Sequence, residues 1–429
     1  MKIEDTILDF YFYIIVDNRT YMKTILSFIS ESSIDDIEKY LRDEKIDIDN
    51  ALSVLKKHFR KERLDFDKFE EFFKLHGLDE LNWGRNNTCI KQFVHTFNEN
   101  DNLDTLKALV ENNGAVSINK IEDSGNIFNY CAGGHDGIGD WTDEAKTIAS
   151  WTNSKSSAAG PCEVLLKFML KEGFTGKVGD VSIRPDENSD SNKADDLEIK
   201  AATISNKGTE SGGHAAGQQG HIRNSWAIYA YIHKNLFNDK LPDRGADKLA
   251  YFRNSDGFKE FNNKLVELDL VKEPDKILKE IIFAVAYQYN FIDENGKNDG
   301  ENSSVADPDY ETLFTQVQNK VMIGNNGIET KEEDFINVLG CIQLYFYSLI
   351  EKFDYLFCCL IDKRDKNSSD KNGQYVLFRN CQEKENTPFL NFKNVLSYLR
   401  FGKLESPVKS QGRTGKIFFK KPDKQNKKN

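Results

Sequence analysis

The sequence predicts an α/β protein: a mixed sheet flanked by helices, with a helical region before it and helical additions after it. Three observations carry this expectation. Apolar residues recur at helical spacing over roughly the first 110 positions and again beyond 235. Between 155 and 235 the pattern changes to helix, strand, polar turn and strand. Around 354–380 two apolar runs flank a polar turn, as in a β-hairpin. At 429 residues, 39% hydrophobic and 30% charged, the chain has material for two or three cored domains.

Taken in order, residues 1–110 read as a helical N-terminal region. Ser33-Ile34-Asp35-Asp36-Ile37-Glu38 has the form of a capped helix start, with Ile34, Ile37 and Leu41 on one face. Residues 111–150 form a Gly/Asn-rich connecting segment, broken at Asn113-Gly114 and again at 131–140. The second break lacks the spacing of a phosphate-binding or dinucleotide loop and reads as a structured loop. In the block 151–235, Gly160-Pro161 opens a helix carrying Val164, Leu165, Phe168 and Met169. Strands follow at 178–183 and 197–204 across a polar turn at 186–194. A Gly/Ser/Gln loop spans 208–220, and 226–232 resumes as helix. Residues 236–352 read as a helical region, with helices at 257–272, 276–290 and 331–351. Residues 353–400 hold the hairpin and C-terminal elements, and 401–429 form a basic tail.

The net charge of −11 argues against a surface that binds polyanions everywhere, so nucleic-acid binding would need a local basic patch. The seven cysteines are odd in number and form no CxxC, which argues against a disulfide framework or structural zinc. They read as reduced thiols of a cytoplasmic protein. The apolar start at 7–16 is interrupted by Asp9 and is not followed by a cleavage-type region, so no signal peptide is expected. No stretch reaches the roughly 20 apolar residues that span a bilayer, so no membrane partner is expected.

The chemistry concentrates in the strand pair. Side chains alternate along a strand, so Glu198 and Lys200 share a face. With the turn centred near 190, Asp180 falls across from about residue 200. Two carboxylates beside a scissile phosphate suit a hard cation such as Mg²⁺. Such an ion lowers the pKa of a bound water and offsets charge in the transition state. Lys200 could orient that water or bind the phosphate. Glu163 opens the helix, where it either complements the helix dipole or points back to the metal carboxylates.

Glu163-Val164-Leu165-Leu166, then Gly179-Asp180-Val181, then Leu197-Glu198-Ile199-Lys200-Ala201 resembles the PD-(D/E)xK nuclease superfamily over about 80 residues. The resemblance implies a restriction-endonuclease-like sheet and Mg²⁺-dependent hydrolysis of DNA phosphodiesters, with Mn²⁺ as a substitute. It implies Asp180, Glu198 and Glu163 as metal ligands and Lys200 as the catalytic lysine. The literal Pro-Asp pair is Pro185-Asp186, which makes Asp186 a rival ligand; strand rise puts it roughly 13 Å from the level of Glu198 and favours Asp180. Asp190, Asp195 and Asp196 read as solvated turn residues. A Gly/Gln-rich loop after the second strand, as in some phage-associated relatives, makes Gln218, Gln219 and Arg223 candidates for DNA contacts.

The partner expected is double-stranded DNA, in a restriction system or in phage DNA processing, and two-strand cleavage would favour a homodimer. The alternative is a DNA-binding or virion structural protein that keeps the nuclease fold without turnover, with virion association in place of a free cytoplasmic enzyme. A chance ExK in an unrelated fold is the third reading. There Glu198 and Lys200 would be the solvent face of an edge strand.

Overall fold

A computed structural model of the chain describes residues 71, 112–131, 162–171, 173–175, 180–183, 194–204, 210–211, 226–240, 251–252, 254–298, 300–304, 306–362, 373–383, 386–403 and 417–419. The chain divides into two compact units: Met1–Asp195 with Asn367–Tyr375, and Asp196–Lys366 with Val376–Asn429. The helical N-terminal reading lies outside the described residues, apart from Glu71, which is helical.

The described elements of the first unit are β1 (Ser124–Asn126), α1 (Phe128–Cys131), α2 (Glu163–Met169), β2 (Gly173–Thr175) and β3 (Val181–Ile183). Helix α2 buries Leu165, Leu166 and Met169. Residues 114–116 run beside its C-terminal end. There the Ala115 and Val116 amides donate to the Met169 carbonyl at 2.7 and 3.0 Å. That approach needs glycine at Gly114, whose φ is +114°, because a Cβ would sit 2.9 Å from the Lys171 backbone. Strands β2 and β3 pair antiparallel in the register Gly173↔Ile183, Phe174↔Ser182 and Thr175↔Val181. The sequence pattern missed β2; three residues with one large apolar side chain carry no detectable period. Gly373–Tyr375 closes this unit, where the Tyr375 hydroxyl donates to the Glu122 carbonyl at 2.9 Å.

The second unit is a mixed sheet with a helical layer. Its elements in chain order are β4 (Asp195–Ile204, of which Asp195 ends the first unit), β5 (Glu210–Ser211), α3 (Trp226–Asn235), α4 (Ser255–Glu267), α5 (Pro274–Gln288) and α6 (Tyr310–Gln318). Then come β6 (Ile323–Gly324), β7 (Gly327–Ile328), α7 (Glu332–Glu351), β8 (Tyr355–Asp362), β9 (Gln374–Arg379, of which Gln374 and Tyr375 belong to the first unit), α8 (Phe392–Tyr398), β10 (Leu399–Phe401) and β11 (Ile417–Phe419). Strand β4 runs parallel to β8, from Leu197↔Tyr355 to Ile204↔Asp362. It pairs antiparallel with β5 at Thr203↔Ser211. Strand β8 adjoins β9. Leu356 to Leu360 are all buried, the continuous run expected of a strand covered on both faces.

Local sequence explains the helices. Asn254, Asp309 and Asn391 cap α4, α6 and α8, each side chain accepting a backbone N–H three residues on. Pro274 opens α5, where its missing donor costs nothing. Glu332, Glu333 and Asp334 stand in the first turn of α7, the favourable end of its dipole for acids. Helix α5 packs against α3, α6 and α7. From Phe335 to Leu349 nearly every residue of α7 is buried, so this helix has no solvent face over that span. A Cβ on Gly340 would run into the ring of Phe401, which fixes how closely β10 approaches α7.

Three expectations are corrected. The helical region 236–352 contains a hairpin, β6–β7, turned through Asn325 and Asn326 with Gly327 at φ +96°. The basic tail contributes β11, paired with β10 through Leu399↔Phe419. Asp195 and Asp196 are strand residues rather than solvated turn residues, and Asp196 is buried. No helix among the described residues is long and apolar enough to cross a membrane.

His233, 3% exposed on α3, lies among the rings of Tyr229, Phe237 and Tyr251. Its Nε2 is 2.7 Å from the Tyr251 hydroxyl and its Nδ1 is 3.9 Å from Asp239 Oδ2. Burial, reinforced by Lys264 and opposed by Asp239, lowers its pKa from 6.5 to about 4. The folded state therefore keeps His233 neutral while the unfolded chain protonates below pH 6.5. The stability lost as pH falls from 6.5 to 4 is about 3 kcal/mol. Urea unfolding across that range should show this loss in the wild type and a smaller one in His233→Phe. Separately, Gly340→Ala should lower unfolding stability by about 1–3 kcal/mol through overpacking against Phe401.

Candidate active site

The ExK strand is β4, paired with β8 along its length and with β5 at its end. Leu197 and Ile199 are buried on one face of β4, and the alternation sends Asp196, Glu198 and Lys200 to the other. Asp354 fixes the start of the parallel pair: its carboxylate accepts the Asp196 amide at 2.8 Å, and its own amide donates to the Asp196 carbonyl at 2.8 Å. The Cys381 amide donates to the Asp354 carbonyl at 3.0 Å. The reading of Glu198 and Lys200 as the solvent face of an edge strand is wrong, because both side chains are largely covered.

Glu198 and Lys200 form an ion pair through Glu198 Oε1, with side-chain exposures of 9% and 17%. The Tyr347 hydroxyl, from α7, donates to the same oxygen at 2.6 Å. The Lys200 ammonium stands 5.4 Å from the centre of the Tyr347 ring, within cation–π range. Glu198 Oε2 takes part in neither contact. Cys358 lies opposite Lys200 in the register. Burial pushes its thiol up to about 12, with Lys200 pulling down and Glu198 pushing up. Cys358 is thus a protonated, inert packing residue at neutral pH.

Glu163 stands half-buried in the first turn of α2, and Asp180 stands half-buried just before β3; both belong to the first unit. Gln218, Gln219, Arg223 and Asp186 lie outside the described residues. Among the described residues, no three His, Cys, Asp or Glu side chains group closely enough to hold a metal ion. Mg²⁺ does not require such a cage, since it usually binds through one or two carboxylates plus waters and substrate phosphates. Glu198, with Oε2 outside both of its contacts, fits that mode.

Comparison with family models, curated proteins and solved structures finds no match to this chain. The site is therefore judged on its own geometry.

Two residues escaped the sequence reading. Tyr347 is 149 positions from Glu198, within an aromatic run that reads only as helix core. Lys167 on α2 is 2% exposed, although a lysine at that helical position reads as solvated. Its one sequence signal is the spacing of four from Glu163, on the same helix face.

Removing one member of a largely buried ion pair strands the other. Glu198→Ala should cost about 2–3 kcal/mol in urea unfolding, with Lys200 and Tyr347 both losing a partner. Lys200→Met should cost less, because the apolar stem is retained and Tyr347 still donates to Glu198.

Proposed function

We propose that this chain is a metal-dependent endonuclease of the PD-(D/E)xK type that hydrolyses double-stranded DNA. The observation that carries the reading is the Glu198–Lys200 pair, held together and largely covered on one face of β4. An ammonium and a carboxylate taken this far out of water lose hydration that their mutual attraction only partly offsets. Their retention at this depth, in the spacing a nuclease uses, favours a chemical role over a structural one.

In this reading Glu198 is a metal ligand through Oε2. The motif order supplies Asp180 as the second ligand, with Glu163 as a third or as a ligand orienter. When bound, Mg²⁺ or Mn²⁺ supplies a water of lowered pKa and offsets charge on the phosphate. Lys200 exchanges its contact with Glu198 Oε1 for a phosphate oxygen or for the attacking water. Its flexible four-carbon stem permits that swing. The Tyr347 hydroxyl remains on Oε1 when the lysine leaves. Gln218, Gln219 and Arg223 serve as donors to the DNA backbone or base edges.

A second reading, a DNA-binding or virion structural protein with the fold but no turnover, draws on one observation. Both donors to Glu198 already occupy the same oxygen, as a purely structural ion pair would have it.

The deciding assay is nicking of supercoiled plasmid with Mg²⁺ or Mn²⁺ by the full chain, beside Glu198→Ala and Lys200→Ala. The nuclease reading requires nicking by the wild type and a loss of about 100-fold or more in both variants at equal folded fraction. DNA binding without nicking moves the conclusion to the structural reading. Absence of both makes the ExK match accidental.

A further inference from the structure

We propose that Tyr347 is a positioning residue of the candidate site: it fixes which Glu198 oxygen is offered to the metal and where Lys200 rests. This rests on the nuclease reading above and extends it to a residue outside the motif. Three observations meet at this side chain. Tyr347 is 1% exposed on a helix buried along most of its length, and the Phe353 ring packs at 5.4 Å, so its own position is rigid. Its hydroxyl donates to Glu198 Oε1 at 2.6 Å. Its ring lies under the Lys200 ammonium at 5.4 Å.

The last torsion of a glutamate is broad, with two nearly equivalent carboxylate orientations. Lys200 alone cannot hold that torsion through a reaction in which it must move. A hydroxyl on a fixed helix can, because it occupies Oε1 before and after the lysine swings. Oε2 is then the constant ligand oxygen. The ring gives the departing ammonium a place to return to. A phenylalanine at 347 would keep the ring and the packing and lose only the hold on Oε1.

The test uses the full-length chain and Mn²⁺ as the probe. Free Mn²⁺ is titrated by electron paramagnetic resonance, and plasmid nicking is followed against Mn²⁺ concentration, for wild type and Tyr347→Phe. The Mn²⁺ concentration at half-binding and at half-maximal nicking is expected to rise about tenfold in Tyr347→Phe. The KM for plasmid at saturating Mn²⁺ should stay unchanged. A merely structural role would lower the thermal midpoint and the active fraction while leaving the Mn²⁺ midpoint where it was, and that result overturns the proposal. Glu198→Asp withdraws the carboxylate from the fixed hydroxyl by one methylene. It should shift the Mn²⁺ midpoint in the same direction through the ligand itself, so Tyr347→Phe alone reports on the hydroxyl. Nicking by the wild type with an unmoved midpoint in Tyr347→Phe removes the role of Tyr347 and leaves the nuclease standing. Neither nicking nor Mn²⁺ uptake by the wild type removes both.

Discussion

The Asp354 clamp is the constraint on which the second unit depends. Two contacts to the backbone of Asp196, one from the side chain and one from the amide, set the register of β4 on β8. Side chains alternate with a period of two, so a slip of one residue would exchange the faces of the strand. Leu197 and Ile199 would then leave their buried positions, and Glu198 and Lys200 would be driven into them. The clamp itself depends on where α7 stops. Lys352, at φ +55°, ends the helix with its amide on the Ser348 carbonyl, and Phe353 and Asp354 follow directly into β8. Helix end, turn and strand register are thus one connected arrangement.

The energetics of the Glu198–Lys200 pair follow from its cover. A carboxylate and an ammonium at 9% and 17% exposure have given up much of their hydration. In water the pair would contribute roughly 0–1 kcal/mol, and at depth desolvation can exceed the attraction. The Tyr347 hydroxyl changes that balance, because a hydrogen bond to a charged group contributes about 1.5–3 kcal/mol. One aromatic residue of a helix that is largely apolar core makes the polar pair tenable there. The neighbouring positions Leu356 and Cys358 are buried too, so the charged pair is an island in an apolar layer.

Much of the second unit was legible because its signals are local. Helical periodicity marked α5 and α7 to within two or three residues, and the apolar run at 355–361 marked β8. The shared face of Glu198 and Lys200 followed from strand alternation alone. What escaped depends on partners far along the chain. Asp196 reads as a turn residue because nothing near it in the sequence places it in a strand; its backbone is held there by Asp354, 158 positions away. Tyr347 has no local mark of its own, since Tyr345, Phe346 and Tyr347 form one aromatic run and only the fold decides which ring meets a carboxylate. The hairpin β6–β7 carries a turn signal in Asn325-Asn326-Gly327, but its strands of two residues are too short to show alternation.

The separation of β4 from β8 also bears on how the chain is made. At ribosomal rates of about 5–20 residues per second, the 158 positions between Asp196 and Asp354 take roughly 8–30 s to synthesise. Throughout that interval the ten-residue strand has left the ribosome without its parallel neighbour. A bare strand edge is a template for pairing with other chains, and charges along a strand are a recognised defence. Asp195, Asp196, Glu198 and Lys200 put four charges within six residues of that strand. The residues proposed to carry the site's chemistry thus also place charge on the bare strand until β8 arrives.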